Sequence, residues 1–522
     1  MPSESESPTY AAHRNNTNPC WWKDSGLRWS VFYNFGCMLC PFYLGYDQGL
    51  LTGLQALPSW NEYFDHPQGQ WLGIISASIF LPGVVMGFPS AWICNHWGRK
   101  TCILLASIFV IAGAIWNALS RNVTHFIISR VTMGIGGAMV KVSAPALLQE
   151  TAHPRLRPTV GSLYYGCYYI GSLLSSIMCI IGLSVPGDWS WRFPCLLILV
   201  GPAAVLSVLA TAPESPRFLL LKGQENKALQ MLAKYHANGD INDELVQWEF
   251  REMKEAIKAE AISHKTSYVD FFRTTGNRKR LLVSAVMAIG VNWVGNGIVG
   301  YYLAPVLRSV GISKPQDILS VNAGLAGWNL IVAEIAGLYV EDFGRRPIFF
   351  VSMIGMIISY SFVMGFSAGF AETGTTALGV AAVPFLFLFF GSYDIAWTTL
   401  NYTYVAELMP FSLRTKGLAI YLCVQQLGNT FNQFVNPIAL QALTWRYYAV
   451  YIAVDCLYVV IIYFCFPETK KMSIEEASMI FDHGWDGRKA VIALQNASGN
   501  HTVIAKASTG SSEHVEATTV KM

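Results

Sequence analysis

The chain has 522 residues, 53% hydrophobic and 13% charged, with a formal net charge of +3. Its mean hydropathy is +0.36. Apolar runs of about 20 residues recur throughout, each long enough to cross a bilayer, so the composition excludes one large water-soluble core and predicts an all-α, polytopic membrane protein.

The first 28 residues are polar and acidic (MPSESESPTYAAHRNN) without the apolar stretch of a signal peptide, and read as a disordered tail on the cytoplasmic side. Twelve spans follow, at about 29–53, 70–92, 101–119, 125–149, 158–184, 191–211, 281–307, 318–341, 347–369, 377–408, 417–440 and 447–466. An even number puts both termini on the same side. Of the 36 basic residues, the opposite side holds Arg121, Arg192, Arg308, Lys314 and Arg446. The short loops with Arg99-Lys100, Arg155 and Arg157, Arg345-Arg346, and Arg414 and Lys416 all fall on the side of the termini, which the positive-inside rule makes cytoplasmic. The expected division is 29–212 for a first six-helix half, 213–280 for a cytoplasmic helical linker and 281–468 for a second half. Residues 469–522 form a last helix and a disordered tail.

Span four, SRVTMGIGGAMVKVSAPALLQE, places Arg130, Gly134, Gly137 and Lys141 on one face at about 100° per residue. Glycines there allow a close helix neighbour, while a cation inside a membrane helix costs roughly 3 kcal/mol or more. Arg130 therefore requires a partner or a watery cavity. In the linker, AKYHANGD separates two amphipathic patterns, the second with Val246, Phe250, Met253 and Ile257 on one stripe. No Walker loop, GxGxxG or metal-ligand spacing occurs, and no nucleophile, base and oxyanion set can be assembled, so an enzyme is not expected. The 11 cysteines lie mostly in apolar runs and read as packing residues; neither metal nor cofactor is expected. The sequons at Asn496 and Asn500 fall on the cytoplasmic tail, where they would stay unmodified.

Motifs recur in register between the halves. Gly87-x3-Ala91-x3-Asn95 leading to Gly98-Arg99-Lys100 is echoed by Gly337-x3-Glu341 leading to Gly344-Arg345-Arg346. Glu150 with Arg157 is echoed by Glu407 with Arg414, WSWRF (189–193) by LTWRY (443–447), and PESPR (213–217) by PETKK (467–471). Two six-span halves related by a parallel repeat form an architecture that rocks around a midplane site.

These motifs, with GYD at Gly45–Asp47, resemble the sugar porter family of the major facilitator superfamily over roughly residues 29–482. Longer runs, among them WVGNGIVGYYLAPVL (293–307), YDIAWTTLNYTYVAELMPFSLRTKGLA (393–419) and FNQFVNPIAL (431–440), look closer to its fungal lactose permease and cellodextrin transporter-like branch. The chain departs from the family at His96 and Asp342 (usually arginine), at Pro158, at Val291-Asn292 where hexose carriers show paired glutamines, and at Tyr165 where an amide is usual.

The resemblance implies a major facilitator fold and a sugar carried by alternating access. A neutral sugar needs uncharged donors and acceptors with an aromatic face. Tyr165 in span five, Asn292, Asn296, Tyr301 and Tyr302 in span seven, Trp397, Asn401 and Tyr402 in span ten, and Gln425, Gln426, Asn429 and Asn432 in span eleven are the expected substrate contacts. Asn322, Trp328 and Asn329 in span eight read as polar scaffolding, and Asp394 as a structural hydrogen-bonding group. The family pattern makes Arg99, Glu150, Arg157, Glu341, Arg345, Arg346, Glu407 and Arg414 gating residues, whose ion pairs would latch the cytoplasmic side and break when it opens.

Counting along the helices puts Asp47 and Arg130 at similar outer depth, and the resemblance gives the pair the proton-coupling role. The expected activity is proton symport of a neutral mono- or disaccharide by a monomer in the plasma membrane. Its partners are sugar, proton and bilayer, without nucleic acid. An uncoupled facilitator or a non-transporting sugar sensor are the alternatives.

Overall fold

The computed structural model describes residues 13–18, 20–263, 267–340, 343–410, 413–470 and 481. Glu341, Asp342, the sequons at Asn496 and Asn500, and the remainder of the C-terminal segment lie outside the described residues.

Twelve helical columns run back and forth where the apolar runs place them. Spans one, three, four, five, eight, nine, eleven and twelve are continuous: Ser25–Leu54, Arg99–Ala118, Val123–Thr151, Arg157–Gly182, Pro315–Tyr339, Arg345–Thr373, Arg414–Leu443 and Tyr447–Cys465. The other four are broken. Span two is Gly69–Ala77 and Gly83–His96, with Pro82 in the break; span six is Trp189–Leu197 and Val200–Ala210. Span seven is Thr275–Trp293 and Asn296–Ser309, and span ten is Thr376–Tyr393, a π-helical turn Asp394–Thr398 and Thr403–Leu408. Among the described residues, nine stretches are long and apolar enough to cross a membrane, the longest holding both spans eleven and twelve. Spans one and two are not among them. Span two is cut in pieces, and span one dilutes its apolar residues with Asn34, Asp47, Gln48 and several glycines and tyrosines.

The break in span seven follows from Gly295, whose φ of +98° is a left-handed conformation that side chains resist. A Cβ there would also sit 2.3 Å from the Tyr360 ring, and the Tyr360 hydroxyl donates to the Gly295 carbonyl at 2.6 Å. Broken helices leave backbone groups unpaired, which a membrane protein tolerates only against protein or a wet cavity. In span four, Gly134 faces the Ile79 carbonyl in the break of span two, 2.2 Å from where its Cβ would be. The glycine face expected from the sequence is therefore a site of close approach.

Within the first half, span one packs along span five and span three along span four; within the second, span nine packs along span ten. Spans five and eight, and spans two and eleven, join the halves. The linker supplies Pro216–Leu221, Glu225–His236, Glu244–Ser263 and Asp270–Arg273. Val246, Phe250 and Met253 pack against Met231, Leu232 and Tyr235, as the stripe requires.

Of the expected tail, residues 13–18 contact the linker: Asn16 N–H donates to Asp243 at 2.7 Å and Leu245 N–H to the Arg14 carbonyl at 3.3 Å.

Candidate functional site

A cavity of about 540 Å³ lies between the halves, walled by spans one, four, five, seven, eight, ten and eleven. On the side away from the linker it is closed. Thr52 Oγ1 donates to the Gly300 carbonyl (2.9 Å), Gln55 Nε2 to the Tyr301 carbonyl (2.8 Å) and Arg308 Nη2 to the Gln55 carbonyl (2.9 Å). Below that seal, Tyr168 from span five and Tyr301 from span seven both donate to Gln48 Oε1, at 2.6 and 2.7 Å. Three spans thus converge on one amide oxygen. In the other direction the wall continues to Pro145, Tyr165 and Leu418, within a few turns of the linker side.

Ten of the twelve expected substrate contacts lie on this wall: Tyr165, Asn292, Asn296, Tyr301, Trp397, Asn401, Tyr402, Gln425, Gln426 and Asn429. They are cross-bonded. Asn292 Nδ2 donates to the Gln425 carbonyl (3.0 Å), Tyr402 Oη to Gln425 Oε1 (3.1 Å), and Gln425 Nε2 to Asn401 Oδ1 (3.2 Å). The Trp397 ring is fully buried and packs on Phe349 and Tyr458 at the cavity wall, its indole N–H without a hydrogen bond among the described residues.

Tyr302 and Asn432 are placed elsewhere. Tyr302 has a non-helical backbone (φ −125°, ψ 32°) that kinks span seven and turns its hydroxyl to the Gln433 carbonyl at 2.6 Å. Asn432 sits farther along span eleven, donating to Tyr451 Oη (3.3 Å) and accepting from Asn436 Nδ2 (2.9 Å). Asn322 and Asn329 of span eight do line the cavity, whereas Trp328 turns its indole N–H to the Phe387 carbonyl.

The sequence reading missed Gln48, Tyr168, Tyr169, Phe80 and Lys141 as wall residues. Gln48 directly follows the GYD motif and carried a local signal; the tyrosines of span five form an aromatic run without one. Asp394 also lines the cavity. Its Oδ1 accepts from Tyr169 (2.9 Å) and Thr398 (2.7 Å), so the hydrogen-bonding role expected for it joins span ten to span five.

Asp47 and Arg130 meet as their helical depths require. Arg130 Nη1 stands 3.7 Å from Asp47 Oδ1, and Arg130 Nε donates to the Ile75 carbonyl at 3.1 Å. Asp47 is 4% exposed and Arg130 2%. Neither carboxylate oxygen of Asp47 has a hydrogen-bond partner among the described residues. Asp47 borders a small chamber of about 30 Å³ that shares Gln48, Phe80 and Lys141 with the main cavity, so one layer of side chains separates it from the substrate space.

The repeated loop motifs form two matching clusters on the linker side. Arg99 Nε pairs with Glu150 Oε2 at 3.1 Å, and Arg345 Nη2 with Glu407 Oε1 at 2.9 Å. The Ser215 hydroxyl donates to Glu150 and the Thr469 hydroxyl to Glu407. Glu214 caps span three by accepting from the N–H groups of Arg99 and Lys100, both at 3.1 Å; Glu468 caps span nine in the same way, from Arg345 (2.8 Å) and Arg346 (3.0 Å). Burial is the largest influence on the Glu214 carboxyl and raises its pKa, against those hydrogen bonds and Arg99. This explains why the P-E-S/T pattern repeats with the G-R-K/R loops.

Each ion pair nevertheless lies within one half, and both are formed while the far side of the cavity is shut. They join neighbouring helices of the same half, spans three and four in the first and spans nine and ten in the second. Other gating candidates are engaged differently. Arg157 pairs with Glu249 of the linker (3.5 Å), and Arg346 donates to the Tyr463 carbonyl and lies over the Phe350 ring. Arg414 opens span eleven.

The family model described as Sugar (and other) transporter matches residues 33–481. An MFS-type transporter, criB, of Aspergillus cristatus is 26% identical over 84% of this chain and 91% of its own length. The MFS glucose transporter mfs1 of Aspergillus flavus is 24% identical over 84% of this chain and 87% of its own. Among solved structures, the inward open conformation of the xylose transporter XylE from E. coli superposes with a TM-score of 0.70 at 21% identity, over 85% of this chain and 98% of that one. This protein belongs to the sugar (and other) transporter family and has the twelve-helix major facilitator fold.

Proposed function

We propose that this chain carries a neutral mono- or disaccharide across the membrane by alternating access, with a proton bound at Asp47. The observation that carries this reading is a cavity lined by amides and tyrosines, one side-chain layer from a buried carboxylate–arginine pair. Hydroxyl-rich rings are recognised by such uncharged groups, and a carboxylate in a dry site changes protonation when its cationic neighbour moves. Opening the far side requires breaking the contacts of Thr52, Gln55 and Arg308 between spans one and seven, a rocking of half against half. The clusters around Arg99–Glu150 and Arg345–Glu407 would keep each half rigid as it rocks. The linker, both termini and the basic loops would face the cytoplasm, the protein acting as a monomer in the plasma membrane. The motif runs in spans seven, ten and eleven favour the fungal lactose permease-like branch, hence a disaccharide.

An uncoupled facilitator is the second reading, favoured by one fact: Asp47 faces Arg130 directly, as a permanent structural pair would. Uptake of a panel of labelled mono- and disaccharides by cells lacking their own sugar carriers, with and without an uncoupler, tests both. Saturable uptake that the uncoupler abolishes is the expected result.

A further inference from the structure

A neutral sugar leaves one wall group unused. Lys141 reaches the main cavity and the small chamber beside it, three turns along span four from Arg130 on the same face. Its Nζ lies 5.8 Å from the centre of the Phe80 ring, which is itself held edge-on to Tyr301 at 5.7 Å. Among the described residues no carboxylate lies within 4.0 Å of this ammonium and no hydrogen bond is formed by it. The carboxylates bordering the two spaces are engaged otherwise: Asp47, on the chamber, faces Arg130, and Asp394 Oδ1, on the main cavity, accepts from Tyr169 and Thr398. An aromatic face compensates a desolvated ammonium only in part.

We infer that Lys141 forms an anion subsite in the transport cavity, and that a sugar bearing one carboxylate, of the hexuronate or aldonate class, binds there more tightly than its neutral parent. This rests on the reading of the cavity as a sugar site. The hydroxyls would meet Gln425 and Asn429 while the carboxylate pairs with Lys141, beside Gln426 in the same chamber. A single ammonium matches a monoanion; Arg130 lines neither space and adds no second cation for a phosphate dianion. Moved with one proton, such a monoanion carries no net charge across the membrane, whereas a neutral sugar with one proton carries current.

The test is equilibrium binding to the purified full-length protein, comparing glucuronate with glucose and galacturonate with galactose. At least one hexuronate is expected to bind ~10-fold or more tightly than its parent, the scale of a buried charge-assisted hydrogen bond. Lys141→Met should bring the acid-to-parent affinity ratio to about one, whatever it does to neutral-sugar affinity; Lys141→Arg should retain the preference. The proposal is overturned if neither hexuronate exceeds its parent, or if the preference survives Lys141→Met. Neutral-sugar binding with no acid preference removes the anion subsite alone; failure of every sugar, neutral or acidic, removes the sugar reading beneath it.

Discussion

Asp47 and Arg130 approach to 3.7 Å, yet the carboxylate receives no hydrogen bond among the described residues. A structural buried carboxylate ordinarily accepts several, so this one is held by a single charge neighbour. Under the proposed coupling, a change in this one contact or in the access of water to it would be enough to change its charge state. Asp47→Asn should abolish uphill accumulation and its pH dependence while preserving sugar exchange across the membrane. Counterflow and accumulation measured on the same vesicles separate the two; a variant that still concentrates sugar removes Asp47 from coupling.

The cross-bonded wall predicts graded losses. Asn292→Ala, Gln425→Ala and Asn429→Ala should each weaken sugar binding by about 1–3 kcal/mol. Tyr302→Phe should leave affinity unchanged and lower the melting temperature, because its hydroxyl serves Gln433 behind the wall. Unchanged affinity in all three alanine variants would place the site elsewhere.

For the linker-side clusters, Glu150→Gln and Glu407→Gln should each slow turnover with little change in apparent affinity. Since each pair lies within a half, exchanging its charges in place (Arg99→Glu with Glu150→Arg) should restore part of the rate. An exchange across halves (Arg99→Glu with Glu407→Arg) should not. Equal rescue by both would contradict pairing within each half.

His153, in the loop between spans four and five, is 3% exposed and accepts a hydrogen bond from the Arg155 N–H at 3.2 Å. Burial, helped by His236, Arg155 and Arg157, pushes its pKa down to about 3. The unfolded chain takes up this proton first as pH falls, so the folded form loses stability between about pH 6.5 and pH 3, roughly 2 kcal/mol by pH 5. Thermal melting from pH 7.5 to 5 should show this loss, and His153→Asn should flatten the curve. Parallel curves for both proteins would contradict the assignment.

Much of this was legible in the chain. Apolar runs located spans three to twelve because a bilayer demands length and hydropathy whatever the packing, and spans one and two in spite of polar dilution and a break. The repeated loops gave the two clusters, although not the Ser215 and Thr469 hydroxyls that complete them. Helical phase failed at Tyr302 because Gly295 and the kink reset the rotation of span seven. At Asn432 the phase was right and the depth wrong: seven residues beyond Gln425 is roughly 10 Å along the axis, past the end of the cavity. Arg157 finds Glu249 across a long linker, a contact that no local pattern encodes.

The central claim is coupling of sugar to proton. Its most direct measurement is uptake of the best labelled sugar from the panel into vesicles reconstituted with the purified protein, with an inward proton gradient imposed. Accumulation above the outside concentration, collapsing on addition of an uncoupler and absent in Asp47→Asn, is the predicted result. Simple equilibration, at a rate indifferent to the gradient and the same in Asp47→Asn, would contradict it.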